Sequence, residues 1–325
     1  GKVNYIYHYE GYVRCLCVSP NGELLATGDD VTLTVRKLHE GSVLFTFVHA
    51  AFLRSVCFSP NGLQFISGDD DGRVVLRDTN SGDEITSYGH NSWVRSVCFS
   101  PNGLYCAEGD ATAVTVRHVS TGDVISLFDH NKPVFSIAFS PDSAFIAAGD
   151  ESSTVVVRSL SSPNEKFAYK CEGEIGVVRF SPDSKFLVSG DDGKKLIVRY
   201  VATGKVRWQK STDVCTVDFS PDGKVLAVGT YSGELTLCNT ITGEISESFM
   251  HNARIRCVCF SPDGEYLATA DEANKVVLRY TTTWKEALSF AHESPTTCVA
   301  FSPDSKLIAS TDKAGRVLLR DIGSV

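Results

Sequence analysis

The residues of this chain best suited to chemistry are histidines, acidic turns and thiols. His49, His90, His130, His251 and His292 each stand shortly before a β-prone run, where an imidazole could serve as general acid or base. Asp69-Asp70-Asp71 carries enough carboxylate to hold a cation, and Gly190-Asp-Asp-Gly-Lys194 has the composition of a phosphate loop. Context weakens each reading. The histidines recur at one position of a repeat, where a side chain can hydrogen-bond local backbone, whereas a histidine doing chemistry should be singular. The acidic turns also recur, near arginines, and the glycine loop sits in a hairpin turn with no helix behind it. The Gly-x-Ser-x-Gly, His-Glu-x-x-His and Gly-x-x-x-x-Gly-Lys-Ser/Thr patterns are absent. The sequence therefore predicts no catalytic residue, no cofactor and no metal site; the chain reads as a non-enzyme.

Eleven cysteines cannot all pair with one another. Eight of them (Cys15, Cys17, Cys57, Cys98, Cys215, Cys257, Cys259, Cys298) occupy corresponding places in one repeated strand, where other copies carry Ser, Ala or Thr. A small buried hydrophobe behaves this way. Cys15-Leu16-Cys17 and Cys257-Val258-Cys259 lack the two-residue spacer of a zinc knuckle. No Asn-x-Ser/Thr sequon occurs, so a reducing compartment is expected, the cytoplasm first and the nucleus as alternative.

What positions these residues is an internal repeat. A Ser-Pro-(Asn/Asp)-(Gly/Ser) element begins at Ser19, Ser59, Ser100, Ser140, Ser181, Ser220, Ser261 and Ser302, at intervals of 39 to 41 residues. Proline presets φ for a type I turn, which Gly or Ser closes. A β-prone run precedes each turn (residues 94–99), and a second follows it (63–67). An acidic turn then leads to a third run (74–77), and a Thr-Gly or Ser-Gly turn to a fourth (124–128). Connections this short exclude parallel crossovers, so each repeat is a four-stranded antiparallel meander. Meanders packed face to face in a closed ring protect their edges. The last repeat stops after its third strand, at Arg320, and the chain opens with an orphan strand, Val3–Tyr7. Residues 2–8 are expected to complete the last blade of a single all-β ring over 1–325. Eight blades is the reading, and seven the alternative.

Composition agrees with a packed domain. Of 325 residues 42% are hydrophobic, which argues against disorder, and no apolar run is long enough for a membrane helix. Thirty-one basic against 39 acidic side chains leave a formal charge of -8 with no basic block. That disfavours nucleic acid or an anionic membrane as partner.

The period, the Phe-Ser-Pro-Asp-Gly turn and the histidine before the inner strand resemble the WD-repeat β-propellers across the whole chain. One departure is systematic: the family's third-strand Trp is absent, and Arg36, Arg77, Arg117, Arg158, Arg199, Cys238, Arg279 and Arg320 stand there. After the second strand come Asp29, Asp69, Asp110, Asp150, Asp191, Thr230, Asp271 and Asp312. The one copy without the Asp is also the one without the Arg. We therefore expect seven structural bridges, each joining the Asp to the Arg of its own blade. Arg179 and Asp218, at equivalent places in neighbouring repeats, read as an ion pair or as solvated channel residues.

The start of the inner strand and the turn between strands two and three share one end of each meander. The resemblance implies that this face grips peptides. Tyr12-Val13-Arg14, Phe52-Leu53-Arg54 and Trp93-Val94-Arg95 repeat an aromatic–aliphatic–arginine pattern there, with Phe135 and Arg256 flanking. Aromatics and arginine are the types that dominate binding hot spots. The expected function is a monomeric, non-catalytic scaffold whose protein or peptide partner carries acidic or phosphorylated groups. The alternative is a subunit of a ribonucleoprotein or nucleic-acid-handling complex. Against docking, these arginines could pair with Asp70, Asp192 or Glu272. Glu174, Asp213 and Asp218 give the fifth and sixth repeats the opposite polarity.

Overall fold

A computed structural model of the chain describes residues 2–162 and 166–323, and every regular element among them is a β-strand. The strands form eight separate four-stranded antiparallel sheets, an eight-bladed propeller. Blade 2 shows the plan: Leu53–Phe58, Gln64–Asp69, Arg73–Asp78 and Glu84–Gly89. In blade 8 the order is Thr296–Phe301, Leu307–Asp312, Arg316–Asp321 and then Lys2–His8, with Ile6 opposite Leu318. The first strand of the chain thus completes the last sheet.

The Ser-Pro turns form for a local reason. In blade 2 the Ser59 hydroxyl donates to Asn61 Oδ1 at 2.7 Å and accepts the Gln64 N–H at 2.9 Å, which closes the turn around Pro60. Gly62 follows with φ of 70°, a conformation glycine adopts without cost. Ser143, Ser184 and Ser305 take nearly the same φ, and their hydroxyls accept backbone N–H groups of the adjoining turns at Asn102, Asp142 and Asp263, at 3.0–3.1 Å.

The chain divides into two compact units, residues 1–48 with 215–325 and residues 49–214. Inside each, blades pack through second-strand glycines. A Cβ on Gly68 would lie 2.8 Å from Val94 Cγ1, and one on Gly109 would lie 2.5 Å from Ile137 Cδ1. Only glycine lets the next inner strand approach this closely. The resulting cores are aliphatic, with Val74, Leu76, Val94 and Val97 in one and Val276, Leu278, Val299 and Ile308 in another.

The expected bridges Asp29–Arg36, Asp69–Arg77, Asp110–Arg117, Asp150–Arg158, Asp191–Arg199, Asp271–Arg279 and Asp312–Arg320 do not form. In every one of these blades the Arg faces the residue four places before its Asp, as Arg77 faces Phe65 and Arg320 faces Ile308. Four residues of strand separate the two side chains by about 13 Å. The carboxylates instead meet the recurring histidines. Asp Oδ2 lies 2.8–3.0 Å from the Nδ1 of His49, His90, His130, His251 and His292, for Asp69, Asp110, Asp150, Asp271 and Asp312 respectively. The Oδ1 atoms accept backbone N–H groups of the following turn, as at Arg73 and Lys275. Without a histidine, Asp191 accepts the Glu172 and Gly173 N–H groups.

The arginines stack on rings of the preceding blade's outer strand. Arg36 lies over Tyr7, Arg117 over Tyr88, Arg158 over Phe128, Arg199 over Tyr169, Arg279 over Phe249 and Arg320 over Phe290, at 3.9–4.8 Å from the centroids. Several also donate Nη1 to the carbonyl that ends the next turn, as Arg199 does to Gly204 at 2.8 Å. They are clips between blades.

Candidate functional site

The inner strand begins with a β-bulge in most blades. The register shifts across Arg14, Arg54, Phe135, Gly176, Arg256 and Thr297. A bulge re-aims a side chain, which is why it recurs beside functional sites. Four residues of the expected docking face, Arg14, Arg54, Phe135 and Arg256, stand at these shifts.

In the unit of residues 1–48 and 215–325, Arg14 stacks on Tyr12 at 4.6 Å and pairs with Asp30 at 3.3 Å. Arg256 pairs with Glu272 at 3.5 Å and donates to the Tyr12 hydroxyl at 3.3 Å. Arg254 lies over Tyr231 at 4.0 Å, with Nε 3.1 Å from Cys215 Sγ, and Lys313 shares Glu272. Every arginine of this cluster has an internal partner. Tyr231, Arg254 and Lys313 had not been assigned to the face; the first and last belong to the position after the second-strand Asp, which varies from copy to copy.

In the unit of residues 49–214, Arg54 grips Asp70 with two nitrogens, Nε at 2.6 Å from Oδ1 and Nη2 on Oδ2. Phe52 lies 5.9 Å from that guanidinium and is 45% exposed. Arg54 and Arg256 thus form the ion pairs that compete with docking. Arg95 differs. It sits between two rings, Trp93 at 4.5 Å and Phe135 at 5.1 Å. The turn position that is Asp70 in blade 2 is Ala111 in blade 3. Among the described residues no acceptor meets the buried Arg95 Nε or the buried Trp93 Nε1. A fixed guanidinium and an indole N–H, both without acceptors, fit a carboxylate, a phosphate or a peptide carbonyl. In blade 5, Asp192 accepts the Glu174 N–H at 2.6 Å. Asp218 accepts the Phe260 N–H at 2.8 Å, and Arg179 donates to its neighbour's carbonyl, Val178 O, at 3.2 Å.

Other reactive groups are absorbed by the scaffold. Burial, with the nearby Glu108 adding to it, pushes the Cys106 thiol up to about 12, which leaves it an inert hydrophobe. No cluster of His, Cys, Asp and Glu among the described residues has a metal-binding arrangement. No helix is long and apolar enough to cross a membrane.

Comparison with known proteins agrees with this architecture. The family described as the IFT122 first β-propeller matches residues 12–239, and the WD domain, G-beta repeat, matches 243–278 and 284–321. No curated protein sequence matches the chain. Among solved structures, the computationally designed Ika8 protein is 20% identical with a TM-score of 0.85, over 97% of this chain and 98% of that one. Saccharomyces cerevisiae Sqt1 is 14% identical with a TM-score of 0.90, over 98% of both chains. At such identities these two likenesses speak for the fold alone. With the first family model spanning well over half of the residues and the repeat model covering most of the rest, the chain belongs to the WD-repeat β-propeller family.

Proposed function

We propose that the chain is a non-catalytic scaffold that takes a peptide bearing a carboxylate or phosphate on the Trp93–Arg95–Phe135 face. The observation that carries this reading is the asymmetry among the arginines that open the inner strands. Arg14, Arg54 and Arg256 each hold an internal carboxylate, whereas Arg95 is fixed between two rings with none. A charge-assisted hydrogen bond to Arg95 is worth about 1.5–3 kcal/mol. The rings supply apolar area around it at little entropic cost. An arginine between aromatics could also stack a nucleobase, but the charge of -8 opposes a phosphate backbone.

The test is a display selection with three peptide pools, acidic, serine-phosphorylated and neutral, on the parent chain and on Arg95→Gln and Trp93→Ala variants of unchanged melting. Acidic or phosphorylated sequences should enrich on the parent and be lost on both variants. Enrichment that survives both substitutions would remove this face from the function.

A further inference from the structure

At the opposite end of the blades, where the Ser-Pro turns approach the turns between strands three and four, two cavities of the same construction open. The one in the 49–214 unit, of about 340 Å³, is lined by Asp142, Phe145, Asp183, Lys185 and Tyr200 among others. Lys185 places its ammonium 3.3 Å from Asp183 Oδ2, with its side chain largely exposed. The other lies in the unit of residues 1–48 and 215–325. It has about 310 Å³ and is walled by Pro221, Asp222, Phe260, Asp263, Thr281 and Trp284.

The second cavity differs in two ways. The position of Lys185 is Glu265, so Asp263 has lost the lysine its counterpart keeps. Asp263 Oδ1 accepts the Ser261 hydroxyl at 2.6 Å and the Glu265 N–H at 2.9 Å, and Oδ2 accepts nothing among the described residues. Lys224 pairs with Asp222 at 3.0 Å but is largely exposed and does not line the cavity. The second difference is Trp284. It holds φ of 58°, at the turn position where Gly41, Gly82, Gly122, Gly204 and Gly243 stand in other blades. A side chain this large is an outlier in the left-handed region, and here its ring forms a wall of the cavity.

We propose that this second cavity binds a lysine-type alkylammonium group from a basic peptide segment, with the stem against Trp284 and the ammonium on Asp263. Asp222, Asp263 and the adjoining Glu265, offset only in part by the exposed Lys224, favour a cation arriving from outside. An aromatic wall suits the methylene stem while the charged end keeps its carboxylate.

Nα-acetyl-lysine methylamide, titrated against the intact chain and followed by NMR at the Gly264 and Thr281 amides, tests this, with Nα-acetyl-norleucine methylamide as the uncharged control. A saturable shift with the lysine probe alone is expected. Asp263→Asn should weaken it about tenfold, the loss of one charge-assisted hydrogen bond. Trp284→Gly, which restores the residue of the other turns but removes a ring packed on the Leu235–Phe260 core, should abolish it while the amide spectrum of the remaining blades stays folded. Equal shifts with norleucine would reduce the site to an apolar cleft, and no saturable shift with lysine would overturn the proposal. Binding at Arg95 is read separately by the acidic pools, so the two inferences fail independently.

Discussion

Blades 2 and 3 follow the same plan and differ in where each keeps a carboxylate. Blade 2 has Ser67 on its second strand and Asp70 in the next turn, and Asp70 neutralises Arg54 on the candidate face. Blade 3 has Glu108 and Ala111 at those positions. Glu108 is fully buried, its Oε2 3.0 Å from His90 Nε2 and 3.1 Å from Arg117 Nε. In blade 3 the acid is therefore spent inside the scaffold, and Arg95 is left on the face without a counter-ion. One exchange of positions couples a stiffer blade to a free binding group.

The largest effect that would sharpen this comparison concerns the buried network. Arg117→Met takes one of two cations from Glu108 and leaves the His90 imidazolium, so the loss should approach, from below, the ~3–5 kcal/mol of a fully broken buried pair. Arg77, the blade 2 equivalent, meets Glu84 at 3.7 Å where that carboxylate is about one-third exposed, so Arg77→Met should cost about 1 kcal/mol. Urea unfolding of both variants measures the difference. Equal losses would show that Glu108 adds nothing to blade 3.

How much of this was legible follows from individual residues. The repeat spacing, the meanders and the use of residues 2–8 in the last blade could be read from Pro and Gly positions and β-prone runs, because these are local rules. The Asp–Arg bridges were misread from a co-variation. Thr230 and Cys238 vary together in blade 6, but a single divergent copy marks a shared blade, not a contact. Counting the hairpin would have corrected it, since a three-residue turn between Asp69 and Arg73 puts Arg77 four places down the ladder. The candidate face was proposed because aromatic–aliphatic–arginine repeats are visible. Their bulges were not, since a register shift depends on both strands. Ala111 was overlooked because an alanine attracts notice only when its equivalents are known to be anions.

A middle-sized effect tests the face. Ala111→Asp gives blade 3 the carboxylate of blade 2 within reach of Arg95. An acidic peptide would then compete with an internal acid, and its affinity should fall about tenfold. Melting should stay level or rise slightly, because a partly exposed pair contributes less than about 1 kcal/mol. Isothermal titration with a peptide recovered from the acidic or phosphorylated pool measures this. Unchanged affinity would mean that Arg95 does not meet the anion.

The last effect is a pH dependence, and its sign separates blade 3 from blade 8. Burial opposes a charge on His90, but the hydrogen bonds and charges of Asp110 and Glu108 outweigh it and hold the imidazolium up to about 9. A pKa raised on folding gives stability that is fully present below the ordinary value of 6.5 and lost as pH climbs through 9. His292 has Ser310 where His90 has Glu108. Burial depresses its pKa, Asp312 opposes that, and Arg316 and Arg320 lower it further. Its contribution is present above 6.5 and lost as pH falls through the folded-state value. Glu108→Ser should therefore make blade 3 titrate like blade 8, moving the His90 Hε1 midpoint below neutrality and flattening the fall in urea midpoint above about pH 7. A His90 midpoint that stays near 9 in that variant would assign the shift to Asp110 alone, and Glu108 would then not be what sets the protonation of blade 3 apart from that of blade 8.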